Sequence, residues 1–157
     1  ATTRKPRPGE KDAVDYFFFE RDEFIKMLNN GMFLEHAEVY GNLYGTPRKF
    51  VEEKLSAGID VLFDVDSQGA YQIMDVFSEA ISFFIIPPSV EELEKRLSLR
   101  NQDAEHIIKA RLQEAEKVMK ESVNYDYTIV NDDFEKACNE ISEIINKHRK
   151  GSINEDR

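Results

Sequence analysis

Three short apolar runs constrain this chain more than any other feature of it: IDVLFDVD (residues 59–66), AISFFIIPP (80–88) and DYTIVNDD (126–133). Each is almost continuously apolar and rich in β-branched and aromatic residues, the pattern of strands covered on both faces. Helical stretches lie between and after them. The order strand, helix, strand, helices, strand, helix predicts an α/β fold with a parallel sheet flanked by helices. Each run ends on polar residues: Asp64 and Asp66, then Ser89, then Asn131 and Asp132. Ligands of open α/β sheets bind beyond the carboxyl ends of the strands, so these ends predict a site.

The helices carry their own punctuation. Ser89, Val90, Glu91 and Glu92 after Pro88 read as a capping box, with Leu93 and Leu97 one turn apart on the face that packs. Thr46 and Pro47 read as N-cap and first helical residue, and Gly58 as the glycine that closes the same helix. Residues 103–121 predict a long charged helix with Ile107, Ile108, Leu112, Ala115 and Val118 on one face. With the helix before it, this makes a helical hairpin across RNQD that can serve as a lid. Upstream of the first run the texture changes to short strand-like pieces (16–19 and 33–40), a short helix (22–29) ended near Gly31, and a turn at Tyr40-Gly41-Asn42. Residues 2 to about 44 therefore predict a small α+β subdomain.

A chain of 157 residues fits one ordinary domain, and its net charge of −10 speaks against general nucleic-acid binding, which draws on Lys and Arg. No apolar run nears the roughly 20 residues that span a bilayer, and no secretory leader is legible. The single Cys138 has no intrachain partner, so a reducing cytoplasm is the expected compartment.

Against that acidic background, the opening TTRKPRPGE stands out. Arg4 and Arg7 flank Pro6, which stiffens the segment, and Pro8-Gly9 turns it. Two guanidinium forks so placed suit a phosphate; a solvated basic tail is the plainer alternative. Tyr16 and Tyr44 can donate phenol protons to the same anion or serve as rim aromatics. Glu35, an acid in an apolar strand-like context, is either on a solvent face or reading a ligand. Asp66 and Asp64 share one face of their run. They can accept hydrogen bonds or hold a hydrated Mg²⁺, or Asp66 can cap the following SQG turn. Arg96 and Arg100 lie one helical turn apart, with Arg111 on the next helix; all three can face one cleft, or pair with the surrounding glutamates. His36, His106 and His148 show no spacing for a metal site or a catalytic triad.

Taken in order, TTRKPRPGE, VDY, FLEHAEVYGNLYGTP, DVDSQG, IIPPSVEELEKRL, IKARL and YDYTIVNDD resemble the guanylate kinase family over nearly the whole chain. The resemblance implies a P-loop nucleoside monophosphate kinase fold that transfers the γ-phosphoryl group of ATP to GMP with Mg²⁺. It implies Arg4, Arg7, Tyr16 and Tyr44 on the GMP phosphate, Glu35 and Asp66 on the guanine, and Thr46 beside the guanine carbonyl. It also implies Arg96, Arg100 and Arg111 as lid arginines on the ATP phosphates, Arg4 joining them in catalysis, and Asn131 and Asp132 near the adenine; Asp64, from its place at the strand end, is the expected contact to the metal through water. The expected organisation is a single domain over 1–157, with a GMP-binding subdomain over about 1–45, a core over 46–95 and 122–150, and a lid over 96–121. The partners implied are GMP and ATP, with no nucleic acid and no membrane.

The sequence departs from the family in having no Gly-rich loop ending in Gly-Lys-Ser/Thr, so the chain as given is expected to be inactive without one. Ala13 stands where a Gly is common before VDY, and Asn101 where a Gly is common in the lid turn. The alternative is a catalytically dead protein-binding module of the same fold. Such modules lose parts of the nucleotide constellation, whereas Arg4, Arg7, Glu35, Tyr44 and Asp66 are all present. A stand-alone GMP-binding domain is a third reading.

Overall fold

The computed structural model describes residues 1–100, 110, 112, 113, 117 and 119–155, which group into two compact units, Ala1–Ala80 and Ile81–Arg157. Arg111, His106, the side chain of Arg100 and most of the lid helix expected over 103–121 lie outside the described residues.

The first unit contains α1 (Arg21–Asn29), β1 (Phe33–Val39), β2 (Asn42–Pro47), α2 (Arg48–Ser56) and α3 (Ser67–Val76). β1 and β2 form an antiparallel hairpin in which Glu35 faces Thr46 and Ala37 faces Tyr44. Tyr40 (φ 49°) and Gly41 (φ 78°) both take positive φ at its tip, the type I′ geometry that matches the twist of the strands. The other edge of β2 is taken by the N-terminal residues: the Thr3 N–H donates to the Leu43 carbonyl (2.9 Å) and the Gly45 N–H to the Ala1 carbonyl (3.1 Å). On its far side Thr2 exchanges backbone bonds with Phe17 and Phe19, so the strand expected over 16–19 is reduced to isolated bridges.

Two apolar clusters hold this unit together. In the first, Phe24 and Phe33 stack with ring centroids 4.4 Å apart, beside Leu43, Met27 and Leu28. A β-carbon on Gly45 would lie 2.9 Å from Phe33 Cδ1 and 3.1 Å from Phe24 Cζ. Glycine is therefore what lets both rings press on β2. In the second cluster Leu34, Val51 and Ile73 are buried, with Val61, Phe63 and Val65 packed against them.

Those last three residues belong to the run at 59–66, and here the structure differs from the expectation. The run does not pair as a strand. Val61, Phe63 and Val65 pack while Leu62 is 85% exposed, so its own unit covers one face only. The expected N-cap also shifts: α2 begins at Arg48 with Pro47 as N-cap, and Thr46 stays in β2. Gly58 does close α2, at φ 71°.

The second unit contains β3 (Phe83–Ile86), α4 (Val90–Arg100), a 3₁₀ turn (Lys120–Asn124), β4 (Tyr127–Val130) and α5 (Phe134–Glu155). β3 and β4 are parallel, with Phe83 opposite Tyr127 and Ile86 opposite Val130. Phe84 and Ile129 are buried with Leu97 and Ala137, whereas Ile85 and Val130 are about half exposed. This pair too is covered by its unit on one face. Half of the expected capping box forms. Ser89 Oγ accepts from the Glu92 N–H at 3.2 Å, but the Glu92 carboxylate turns to Arg96 instead of back to the cap. Among the described residues no helix is long and apolar enough to cross a membrane.

The amino ends of the parallel pair are fastened by Ser82 and Asp126. The Ser82 N–H (2.8 Å) and hydroxyl (2.7 Å) both donate to Asp126 Oδ2, and Ser82 Oγ accepts from the Asp126 N–H at 3.0 Å. The Ser82 donors hold the Asp126 carboxyl below the usual carboxylate range. A depressed folded-state pKa contributes stability above the unfolded value and loses it as pH falls through the folded one. Ser82→Ala is thus expected to flatten the loss of stability on the acid side of the carboxylate range, read by urea unfolding at a series of pH values; an unchanged pH profile would contradict this. Gly45→Ala is expected to cost about 1–3 kcal/mol through overpacking, read as a lower urea midpoint at unchanged slope.

Candidate functional site

One polar cluster in the first unit lies along a single side of the β1–β2 hairpin. Residues opposite one another in an antiparallel pair point to the same side, so Glu35, Thr46 and Tyr44 share it. Glu35 keeps only 4% of its surface, which decides between the readings left open by the sequence in favour of burial. A register shift between Phe33 and Glu35 places two β1 residues against one of β2, the kind of bulge that re-aims a side chain. Phe33, Leu34 and Glu35 are consequently buried in succession.

The Thr46 hydroxyl donates to Glu35 Oε1 at 2.6 Å. The hydroxyl assigned by sequence to a helix cap thus serves a buried acid. Among the described residues this is the hydrogen bond that Glu35 receives, and its other oxygen faces α3: a β-carbon on Gly69 would sit 2.7 Å from Oε2. Asp66 is the N-cap of α3, with Oδ1 accepting from the Gly69 N–H (3.0 Å) and Oδ2 from Gln68 Nε2 (3.2 Å). The plainer reading of Asp66 is thus realised, and its cap fixes the glycine that Glu35 approaches. Gln72, on the same helix, accepts from the His36 N–H (3.2 Å) and donates to the His36 carbonyl (2.7 Å). It clamps α3 to the free edge of β1.

The arginine end of the cluster is equally ordered. Thr2 is fully buried; its hydroxyl donates to the Leu43 carbonyl (3.0 Å) and accepts from the Arg4 N–H (3.1 Å). The Arg4 guanidinium sits over the rings of Tyr16 (5.5 Å to centroid) and Phe18 (6.0 Å), within the range of cation–π attraction. Tyr16 in turn meets Tyr44 edge-on at 6.3 Å, and the Tyr44 phenol interacts with Arg4. Arg4, Tyr16 and Tyr44 are therefore one assembly. Arg4 also forms a two-pronged ion pair with Glu10, and Arg7 contributes its N–H to the same carboxylate at 2.6 Å. The opening segment is thus built into the fold and is not a solvated tail.

In the second unit Arg96 stands at the carboxyl ends of β3 and β4. Its Nη1 donates to the Asn131 carbonyl (2.6 Å), its Nη2 lies 3.4 Å from the Asp132 carbonyl, and its Nε donates to Glu92 (2.9 Å). Arg96, Asn131 and Asp132 are thereby brought together, through backbone carbonyls and not through the side chains of Asn131 and Asp132. Asp64 is exposed, and among the described residues no group of three His, Cys, Asp or Glu is arranged to hold a metal ion.

Sequence reasoning passed over Thr2, Glu10, Gly69 and Gln72. A capping Asp three residues before a glycine was visible in DVDSQG, but no local pattern shows that this glycine meets a side chain from β1. Replacing Thr46 with the isosteric Val strands the buried Glu35 carboxyl; a loss of about 1–3 kcal/mol in urea unfolding is expected, and an unchanged midpoint would contradict that pairing.

The family model described as guanylate kinase matches residues 1–148. Guanylate kinase of Vibrio cholerae is 49% identical over 148 residues, covering 94% of this chain and 72% of that protein. Guanylate kinase of the Wolbachia of Brugia malayi is 48% identical over 149 residues, covering 94% and 76%. The crystal structure of guanylate kinase from Anaplasma phagocytophilum superposes with a TM-score of 0.80 at 41% identity, covering 93% of this chain and 71% of that one.

Proposed function

The chain belongs to the guanylate kinase family, and from that premise we propose how its residues divide the work of moving a phosphoryl group from ATP to GMP. The fold is the α/β fold of P-loop nucleoside monophosphate kinases, and the function is that of an ATP:GMP phosphotransferase.

One observation carries the assignment of the GMP site: a carboxyl group with 4% of its surface exposed that receives a single hydrogen bond among the described residues. An ionised carboxylate has about four acceptor positions, and burial makes unfilled ones costly. Guanine offers N1–H and the 2-amino group as donors. Adenine lacks that donor edge, so it would leave the buried acid with no donor beyond Thr46, and this asymmetry gives strong discrimination. Glu35 is thus read as the guanine sensor, with Asp66 as the second acceptor at the cap of α3. Thr46 spends its one proton on Glu35 in the free protein. When guanine donors take its place there, the hydroxyl is released toward the guanine carbonyl.

The phosphate of GMP falls to Arg4, Arg7, Tyr16 and Tyr44, the cationic and phenolic end of the same assembly. Residues 1–45 serve as the GMP-binding subdomain. Arg96, Arg100 and Arg111 act on the ATP phosphates, with Asn131 and Asp132 toward the adenine; the position of Arg96 at the strand ends supports this. Phosphoryl transfer asks for positioning and charge stabilisation, so no side-chain nucleophile is required. Magnesium binds through few carboxylates while keeping waters and substrate phosphates, and the exposed Asp64 suits a contact through water. When bound, Mg²⁺ neutralises the phosphate charge that builds up during transfer. The lone Cys138 supports a reducing, cytoplasmic setting.

Glu35→Gln keeps the shape of the acid and turns one acceptor into a donor. It is expected to weaken GMP binding by about 1–3 kcal/mol in titration calorimetry; unaltered affinity would remove Glu35 from the guanine site.

A further inference from the structure

We propose that Glu10 is the positioning residue that holds Arg4 with one edge of its guanidinium turned outward for the phosphate, an inference that rests on the reading of Arg4 as a phosphate ligand. A guanidinium has five N–H donors in a fixed plane. Glu10 Oε2 takes one from Nη1 (3.0 Å), Glu10 Oε1 takes one from Nη2 (2.9 Å), and the Lys5 carbonyl takes the second of Nη1 (2.8 Å). Among the described residues, the Nε–H and the second Nη2–H are the donors that Glu10 and Lys5 do not take, on the group that the Tyr44 phenol also meets. These two are adjacent and parallel, forming the side-on fork that accepts a phosphate in two-pronged fashion. The flat face is meanwhile engaged by the rings of Tyr16 and Phe18. The tip and one face are thus committed to the protein, and the side edge is left beside the Tyr44 phenol that interacts with the same group.

The backbone puts Glu10 in place. Arg7, Pro8, Gly9 and Glu10 form a turn closed by the Glu10 N–H on the Arg7 carbonyl (3.0 Å), with Gly9 at φ 93°. Proline then glycine with positive φ is the signature of a type II turn. It folds Glu10 back so that its Oε2 also accepts from the Arg7 N–H (2.6 Å), and one carboxylate ties both arginines of the segment into one rigid loop. Arg4 and Glu10 retain 14% and 18% of their side-chain surface. The hydrogen bonds from Arg4 and from the Arg7 backbone hold the Glu10 carboxyl below its ordinary range, so the pair stays ionised through neutral pH.

A positioning role predicts a loss confined to the phosphate. GMP and guanosine are titrated by NMR into the wild-type chain and into the Glu10→Ala, Glu10→Gln and Arg4→Ala variants, and the ratio of their dissociation constants isolates what the phosphate contributes. Glu10→Ala is expected to weaken GMP at least tenfold while guanosine changes less than twofold. Glu10→Gln, which keeps one acceptor, is expected to fall between Ala and wild type. Equal weakening of both ligands would make Glu10 merely structural, and tighter GMP binding would make it a competitor of the phosphate; either result overturns the proposal. Arg4→Ala separates the two levels. If it leaves the ratio unchanged, the phosphate reading of Arg4 fails; if it lowers the ratio while both Glu10 variants leave it unchanged, only the role of Glu10 fails.

Discussion

A carboxyl group that keeps 4% of its surface inside a small β-hairpin needs donors, and much of the first unit is arranged around that need at Glu35. The bulge beside Glu35 turns it inward, the Thr46 hydroxyl meets one oxygen, and a glycine lets α3 approach the other. Asp66 fixes that glycine from the helix cap, and Gln72 fixes the helix to the strand edge. A buried acid with one hydrogen bond is costly to keep in a fold on stability grounds alone. Under the proposed function its missing donors come from the substrate, in a chain whose family is that of guanylate kinases.

The same logic orders the opposite end of the cluster. Arginine side chains lose much rotamer freedom when fixed, and here the loss is met before a ligand arrives: Thr2 holds the Arg4 backbone, aromatic rings hold its face and Glu10 holds its tip. Pre-ordering of this kind reduces the cost of binding an anion. In the second unit Arg96 is likewise held, by Glu92 and by two backbone carbonyls. Arg4 and Arg96 are thus each held by specific partners within an acidic chain.

Much of this was legible in the residues. The turn at Tyr40-Gly41, the helix ended at Gly31, the helix closed by Gly58 and the parallel pairing of the FFII and YTIV segments all follow from local chemistry and pattern, and the structure bears them out. The family was legible too, because its motifs fall in order along nearly the whole chain. What failed were statements that depend on which of several available partners a residue takes, most of them distant in sequence. The apolarity of residues 59–66 does not reveal which faces their unit covers, and the strand expected there is not formed. Thr46 before Pro47 has the chemistry of a cap, yet Glu35, eleven residues away, takes its proton. Glu92 has the spacing to complete a capping box, yet a charged arginine one turn on is the stronger partner. Gly69 and Gln72 act only through contacts with β1, which no local spacing encodes.

The central claim is that guanine and its phosphate are held along one side of the β1–β2 hairpin, from Glu35 to Arg4. Amide chemical-shift mapping of the isotope-labelled chain during addition of GMP tests it most directly. The account predicts that the largest shifts run through Thr2, Arg4, Tyr16, Glu35, Tyr44, Thr46 and Gly69, and that AMP at the same concentration leaves the Glu35, Thr46 and Gly69 amides unmoved. Shifts centred on residues outside this hairpin, or an equal response of those three amides to AMP, would contradict it.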